Sequence, residues 1–282
     1  MITLVVSNAH DAPDHLLEQA ANYHWAFRGN LVQLVNINAN TQERFWKEAQ
    51  RDQVDFTSVP SLRFLPEPIG TEWGRIFHAF LGGIGFALRS GIAFDYVYFH
   101  TASDLLLKQG IDAYLPNYDL GFGKSHAMKQ DMSASQASIS DFWSDAVTGN
   151  PRYMRFIRSL GQDASYKARA EGCFFSRQVF FEMIFPLMLT TSCEDLASMP
   201  QPYPHEEFEL ASLVEAYCRG RQVRRCPNVV VTAKRESQLA TTEDIDAIIA
   251  TPDRWGIKRF PIGQNDGTRL YVRQIMERSV EG

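Results

Sequence analysis

The sequence predicts an α/β protein, and three stretches predict it. Ile2-Thr3-Leu4-Val5-Val6 is an apolar run that stops on Ser7-Asn8-Ala9-His10, and a helical segment and a second apolar run, Leu31–Val35, follow it. Strand, helix and strand within about forty residues make a βαβ unit. A long segment with apolar residues at helical spacing, Trp73–Ser90, then leads into Phe94-Asp95-Tyr96-Val97-Tyr98-Phe99. That aromatic and β-branched run has the character of a buried strand. It ends on His100-Thr101-Ala102-Ser103-Asp104. Ligands of open α/β sheets bind where strands end at their carboxyl edge, so this polar ending marks a place for a polar ligand. An ordinary strand-to-helix turn, with Ser103 or Asp104 as N-cap, accounts for the same residues.

The bulk composition is that of a soluble globular protein. Of 282 residues, 45% are hydrophobic and 22% are charged, and the net charge of −5 provides no overall basic field for nucleic acid. The four cysteines (Cys173, Cys193, Cys218 and Cys226) lack CxxC spacing, which points to neither a zinc site nor a disulfide framework. Met1 leads directly into the first strand without a basic region, and no stretch approaches the roughly 20 apolar residues of a membrane span. The expectation is a cytoplasmic protein, with room for peripheral association at the inner membrane.

In chain order, Ala12-Pro13-Asp14 opens a helix running to about Phe27, with Pro13 suited to a first turn. Gly29-Asn30 turns the chain into the second strand, which ends on Asn36-Ile37-Asn38. The unit lacks GxGxxG, so the usual dinucleotide reading loses its main support. Thr41–Gln53 reads as a polar helix, and a short strand is expected within Val54–Leu65. Gly82-Gly83-Ile84-Gly85 has the look of a phosphate loop but lies inside a helix, where close packing is the competing account. After a loop-rich stretch over Leu115–Ser140, a helix is expected after Pro151, a strand at Glu171–Ser176 and a helix over Arg177–Leu189. Another helix is expected over Pro204–Arg219, a strand at Val229-Val230-Val231 and a helix over Glu243–Ile249 capped by Thr242. Basic and apolar residues alternate over Trp255–Glu281. The apolar content of 143–160 and 178–190 reads as core or as interface. No internal repeat or linker appears, so residues 1–282 read as one domain.

Several stretches carry candidate chemistry. His205-Glu206-Glu207-Phe208-Glu209 resembles the start of an HExxH zinc helix, but residue 209 is glutamate, so the facing pair of imidazoles is missing. What remains is a group of carboxylates at a helix start, where the helix dipole favours negative charge. His10, Asp11, Asp14 and His15 fit either a metal cluster or a capped helix start. Asp244-Ile245-Asp246 has DxD form but falls within a helix. Lys258, Arg259, Arg269 and Arg273 form a basic set suited to stabilising a diphosphate, or else a solvated helix face.

Taken in order, these pieces resemble the core-2/I-branching N-acetylglucosaminyltransferase and peptide xylosyltransferase family. The resemblance rests on Trp73-Gly74-Arg75, on Phe94-Asp95-Tyr96 through Ser103-Asp104-Leu105, on Gly172-Cys173-Phe174-Phe175-Ser176-Arg177, and on Glu206-Glu207 with Ala211-Ser212-Leu213. Leu106 stands where the family usually has proline, and Asn36 and Asn38 stand where an aspartate is common. The resemblance implies a glycosyltransferase-A-type fold, a Rossmann-like mixed sheet flanked by helices. Residues 1–115 would form a nucleotide-binding half and residues 116–282 an acceptor and catalytic half.

The same resemblance implies a metal-independent, inverting glycosyltransferase. It would move a sugar from a nucleotide sugar, a UDP-sugar by preference, to a glycan hydroxyl. Glu207 would be the base, with Glu206 taking its place if the register shifts by one. Lys258 and Arg259 would neutralise the diphosphate, with Arg269 and Arg273 behind them. Ser7, Asn8, Asn36, Arg75, Ser103 and Asp104 would line the nucleotide-sugar side, and Glu171 and Trp73 the acceptor side. No resident cofactor and no divalent metal are expected; the partners are the sugar donor and the glycan acceptor, and not nucleic acid. Two alternatives stand beside this reading: a metal-using transferase with Asp104 on the ion, and an inactive protein that binds a carbohydrate or a partner.

Overall fold

The strand Thr3–Ala9 (β1) is buried along its whole length between two parallel neighbours, Leu31–Ile37 (β2) and Tyr96–His100 (β4). A strand covered on both faces needs apolar residues at successive positions rather than alternate ones, which is why these segments read as continuous hydrophobic runs. The computed structural model describes residues 1–9, 12–72, 74–100, 104–123, 125–128, 147, 150–192, 195–196, 204–232, 239–260 and 266–279.

Leu62–Phe64 (β3) extends the sheet on the far side of β2, in parallel. On the other side, Phe174–Ser176 (β9) runs antiparallel to β4, and Leu120–Gly121 (β6) and Arg225–Cys226 (β10) complete the order β10-β6-β9-β4-β1-β2-β3. A smaller sheet joins Asp104–Leu106 (β5), Val230–Thr232 (β11) and Gly256–Lys258 (β12), and His126–Met128 (β7) pairs with Ser165–Lys167 (β8). The architecture is therefore mixed α/β, and the two larger sheets each draw strands from both sides of residue 115.

Strand alternation decides what each face buries. Leu4, Val6, Val97 and Phe99 point to one face. Packed there are Phe77–Arg89 (α3), Pro151–Ser159 (α5), Arg177–Thr190 (α6) and His205–Cys218 (α7). Val5, Tyr96 and Tyr98 point to the other, against Pro13–Ala26 (α1) and Ile111–Tyr114 (α4). Gln42–Arg51 (α2) flanks the β2–β3 side, while Thr242–Ile249 (α8) and Gly267–Arg278 (α9) cover the small sheet. The glycines inside α3 serve packing: a Cβ on Gly82 would fall 2.4 Å from Ile69 Cδ1. Gly83 lies against Val6 and Leu34 of the sheet.

Two local expectations change. Asp104 does not cap a helix; it opens strand β5, which leaves the main sheet and pairs antiparallel with β12. Leu105 and Leu107 enter one apolar cluster and Leu106 the other, a period of two that a helix cannot supply. The α8 cap is Thr241 rather than Thr242. Thr241 Oγ1 accepts from the Asp244 amide, and the Asp244 carboxylate accepts from the Thr241 amide.

Candidate active site

The parallel strands β1, β2 and β4 end on one edge of the main sheet, and the helix α7 begins close to it. Pro204 precedes α7 and provides no side-chain cap, so the first turn carries only its Glu206 and Glu207 carboxylates against the positive end of the helix dipole. The backbone ties this turn to the strand β8, because the Ala168 amide donates to the Glu207 carbonyl at 3.0 Å.

A third carboxylate comes from the turn before β9. Gly172 has φ +68°, and a Cβ there would meet the Val230 backbone nitrogen at 2.6 Å, so only glycine fits this approach. Its amide donates to the Phe99 carbonyl at the end of β4, and its carbonyl accepts from Val229. Asn228 fixes the preceding residues by donating to the Arg169 and Glu171 carbonyls, at 2.9 and 2.8 Å. Glu171 is thereby set on the carboxyl edge, where its carboxylate is ion-paired with Lys258 at the end of β12.

The three carboxyls differ in environment. Glu206 Oε2 and Glu171 Oε2 are both enclosed and lack hydrogen-bond partners among the described residues. Burial pushes the Glu206 carboxyl up to about 8, and the neighbouring charges of Glu207 and Glu171 add to the rise while Lys258 opposes it. Glu207 is also raised, chiefly by burial and then by Glu171, against Lys167, Arg169 and Lys258. Its side chain keeps 23% of its surface open, and Lys167 Nζ lies 3.7 Å from its Oε2. One carboxyl is thus held protonated near neutral pH while its sequence neighbour faces solvent beside a cation. Environments that separate carboxyls in this way suit proton transfer.

Cations surround the group. Lys167 also sits over the Phe208 ring. Arg259 follows Lys258 with φ +77°, a left-handed backbone that an arginine seldom adopts. Arg259 is half-buried, and its guanidinium makes no hydrogen bond or ion pair with the described residues. Arg75, just before α3, is not among the charges that act on these carboxyls and pairs with Glu72 at 3.7 Å. Together with His205, it adds to the burial that holds the His78 imidazole below its ordinary value.

The remaining sequence-predicted residues are placed apart from this group or are spent on structure. Ser7 and Asp104 are joined through His100: Ser7 Oγ lies 2.8 Å from His100 Nδ1, and His100 Nε2 lies 3.1 Å from Asp104 Oδ1. Asp104 further accepts from Tyr23 Oη at 2.7 Å, and the whole chain is buried. Asn8 and Asn36 bond to one another, and Asn36 holds the loop after β3 through the amide and carbonyl of Ile69. Arg269 and Arg273 both pair with Glu18 of α1, so the basic set divides between two places. Ser103 and Trp73 lie outside the described residues, as do His10 and Asp11 of the candidate metal cluster. Asp244 and Asp246 serve as an α8 cap and as an acceptor for Tyr271 Oη.

Sequence reasoning did not single out Lys167 and Arg169. The available signal was their spacing of two in a short strand and its continuation, which sets both toward one face.

No family model matches the chain, and no curated protein matches it. Among solved structures, the chain is similar to the galactosyltransferase LgtC in complex with donor and acceptor sugar analogues, at 11% identity and a TM-score of 0.41. That match covers 100% of this chain and 96% of the other, and an active-site mutant of LgtC gives the same figures. A glycosyltransferase involved in glycosylation of the major capsid of PBCV-1 matches at 10% identity and a TM-score of 0.44, over 99% of this chain and 100% of that one. Likeness at these scores carries no argument about chemistry, which rests on the residues of this chain.

Proposed function

We propose that the protein is a glycosyltransferase of the glycosyltransferase-A type. It inverts the sugar it transfers and needs no metal, moving it from a nucleotide sugar, a UDP-sugar by preference, to a glycan hydroxyl. The observation that carries this reading is the gathering of Glu206, Glu207, Glu171 and Lys258, from three distant parts of the chain, at the carboxyl edge of the sheet.

Glu207 takes the proton of the acceptor hydroxyl as that oxygen attacks the anomeric carbon. The bond to the diphosphate oxygen breaks on the opposite face, and its electron pair leaves with the diphosphate, which inverts the centre. A raised, partly exposed carboxylate is suited to this step, because a base works best when its pKa approaches the working pH. Glu206 stays protonated beside it and limits the negative charge of the group. Lys258 and the uncommitted Arg259 are the cations assigned to the diphosphate. In this reading residues 1–115 supply the nucleotide side, residues 116–282 supply the acceptor and base, and the reaction takes place in the cytoplasm.

The test is a thermal-shift and hydrolysis panel over UDP-, GDP-, CMP- and dTDP-sugars, with and without EDTA. Stabilisation and slow hydrolysis with one nucleotide, unchanged by EDTA, is the expected result. Hydrolysis abolished by EDTA removes the metal-independent mechanism, and no response to any nucleotide removes the transferase.

A further inference from the structure

The outer end of α6 exposes three large apolar side chains on consecutive turns. Phe185, Met188 and Leu189 keep 59%, 64% and 70% of their surface open, and they are the three most exposed large hydrophobic residues among those described. Spaced at i, i+3 and i+4, they form one contiguous stripe on the helix. The opposite face of the same helix, with Val179, Phe180, Met183, Ile184 and Leu187, is in the core. An apolar patch of this kind marks a contact surface.

What the surface meets is indicated by its neighbours. The helix α5 packs beside α6, and its Arg152 donates to Thr191 Oγ1 at the end of α6. Arg155 and Arg158 project from the solvent side of α5 and pair with none of the described residues. The nearest acid along the stripe, Glu182, is one turn back and is engaged by Arg221 at 3.2 Å. Asp195, beyond the helix, is turned onto the amide and hydroxyl of Ser192, and the charge of Arg152 also acts on it. An exposed apolar stripe beside a helix that carries two unpaired arginines fits a lipid surface with anionic headgroups.

The tip also lies on the edge that carries the carboxylates. The strand β9 runs antiparallel to β4, so α6 starts at the amino edge of the sheet and returns toward the carboxyl edge. There Arg152 joins its end to α7 by pairing with Glu209, one turn from Glu206.

We propose that Phe185, Met188 and Leu189, with Arg155 and Arg158, dock the protein on an anionic phospholipid bilayer, with the carboxylate group turned toward acceptors that the bilayer presents. The docking stands on this face alone, whereas the identity of the presented group as an acceptor sugar rests on the transferase reading.

Flotation with vesicles of phosphatidylcholine and phosphatidylglycerol in equal parts, against phosphatidylcholine alone, tests it. Wild type is expected to float with the anionic vesicles. Partition should fall about tenfold or more in the triple variant Phe185→Ser/Met188→Ser/Leu189→Ser. Arg155→Glu/Arg158→Glu should lose the preference for anionic lipid. Wild type that stays at the bottom of the gradient, or a triple variant that floats as well as wild type, overturns the proposal. So does a concentration-dependent dimer in wild type that the triple variant abolishes, without vesicle binding in either. Thermal shift with the nucleotide panel runs beside each variant: vesicle binding without any nucleotide response would retain the docking and remove the acceptor reading.

Discussion

Lys258 closes on the carboxylate of Glu171, 87 residues earlier in the chain, and the charges of both act on Glu206 and Glu207. The pair is mostly enclosed, with 20% of the lysine side chain and 13% of the glutamate open. Removing one partner of an enclosed pair costs more than the pair contributes, because the remaining charge stays desolvated. Lys258→Met is therefore expected to lower stability by about 2 kcal/mol as well as to weaken nucleotide binding. Arg259→Ala, which removes no hydrogen bond or ion pair with a described residue, is expected to weaken nucleotide binding with little change in stability. Urea titration beside a nucleotide thermal shift separates the two effects.

Glu207→Gln keeps the shape of the side chain and removes the proposed base. Turnover is expected to fall about 100-fold or more, with nucleotide binding retained. In wild type, the acid limb of the turnover profile should lie above the usual carboxylate range, since burial and Glu171 raise this group. A Glu207→Gln enzyme of near-normal turnover would move the base elsewhere.

Glu206 ties stability to pH. The folded protein holds this proton up to about 8, whereas the unfolded chain releases it near the ordinary 4.5. Across that window the folded state binds more protons, so the contribution is complete below the lower value and is lost as pH rises through the upper one. Thermal midpoints recorded across the window should decline with rising pH, and Glu206→Gln should flatten the decline.

Gly172→Ala introduces a Cβ into the Val230 backbone at a positive φ. A loss of about 2 kcal/mol or more is expected, together with reduced turnover, because the same turn sets Glu171. Chemical denaturation and turnover measured on one preparation check both.

Asn22 substitutes for a strand partner of Leu106: its Oδ1 accepts from the Leu106 amide and its Nδ2 donates to the Leu106 carbonyl, both at 2.8 Å. Asn22→Ala leaves two buried backbone groups unpaired, at about 2–4 kcal/mol in total. Hydrogen exchange at the Leu106 amide should quicken by more than the global loss of stability explains.

By itself, the sequence determined the strands β1, β2 and β4, the helices α1, α3, α6 and α7, and the acidic first turn of α7. Each of these is written locally, in a continuous apolar run, a period of 3.6 or a helix start. The segment after His100 was legible as a polar break but not as a strand. The partner of β5 is β12, about 150 residues further on, and the second hydrogen-bonding partner is the side chain of Asn22. The four basic residues near the C-terminus likewise look like one set in the chain. The tertiary structure sends Lys258 to Glu171, and Arg269 and Arg273 to Glu18, because β12 and α9 face different neighbours. It also decided that 178–190 is both core and surface. The two faces of α6 are almost equally apolar, and only the packing of the sheet beneath them determines which face is covered.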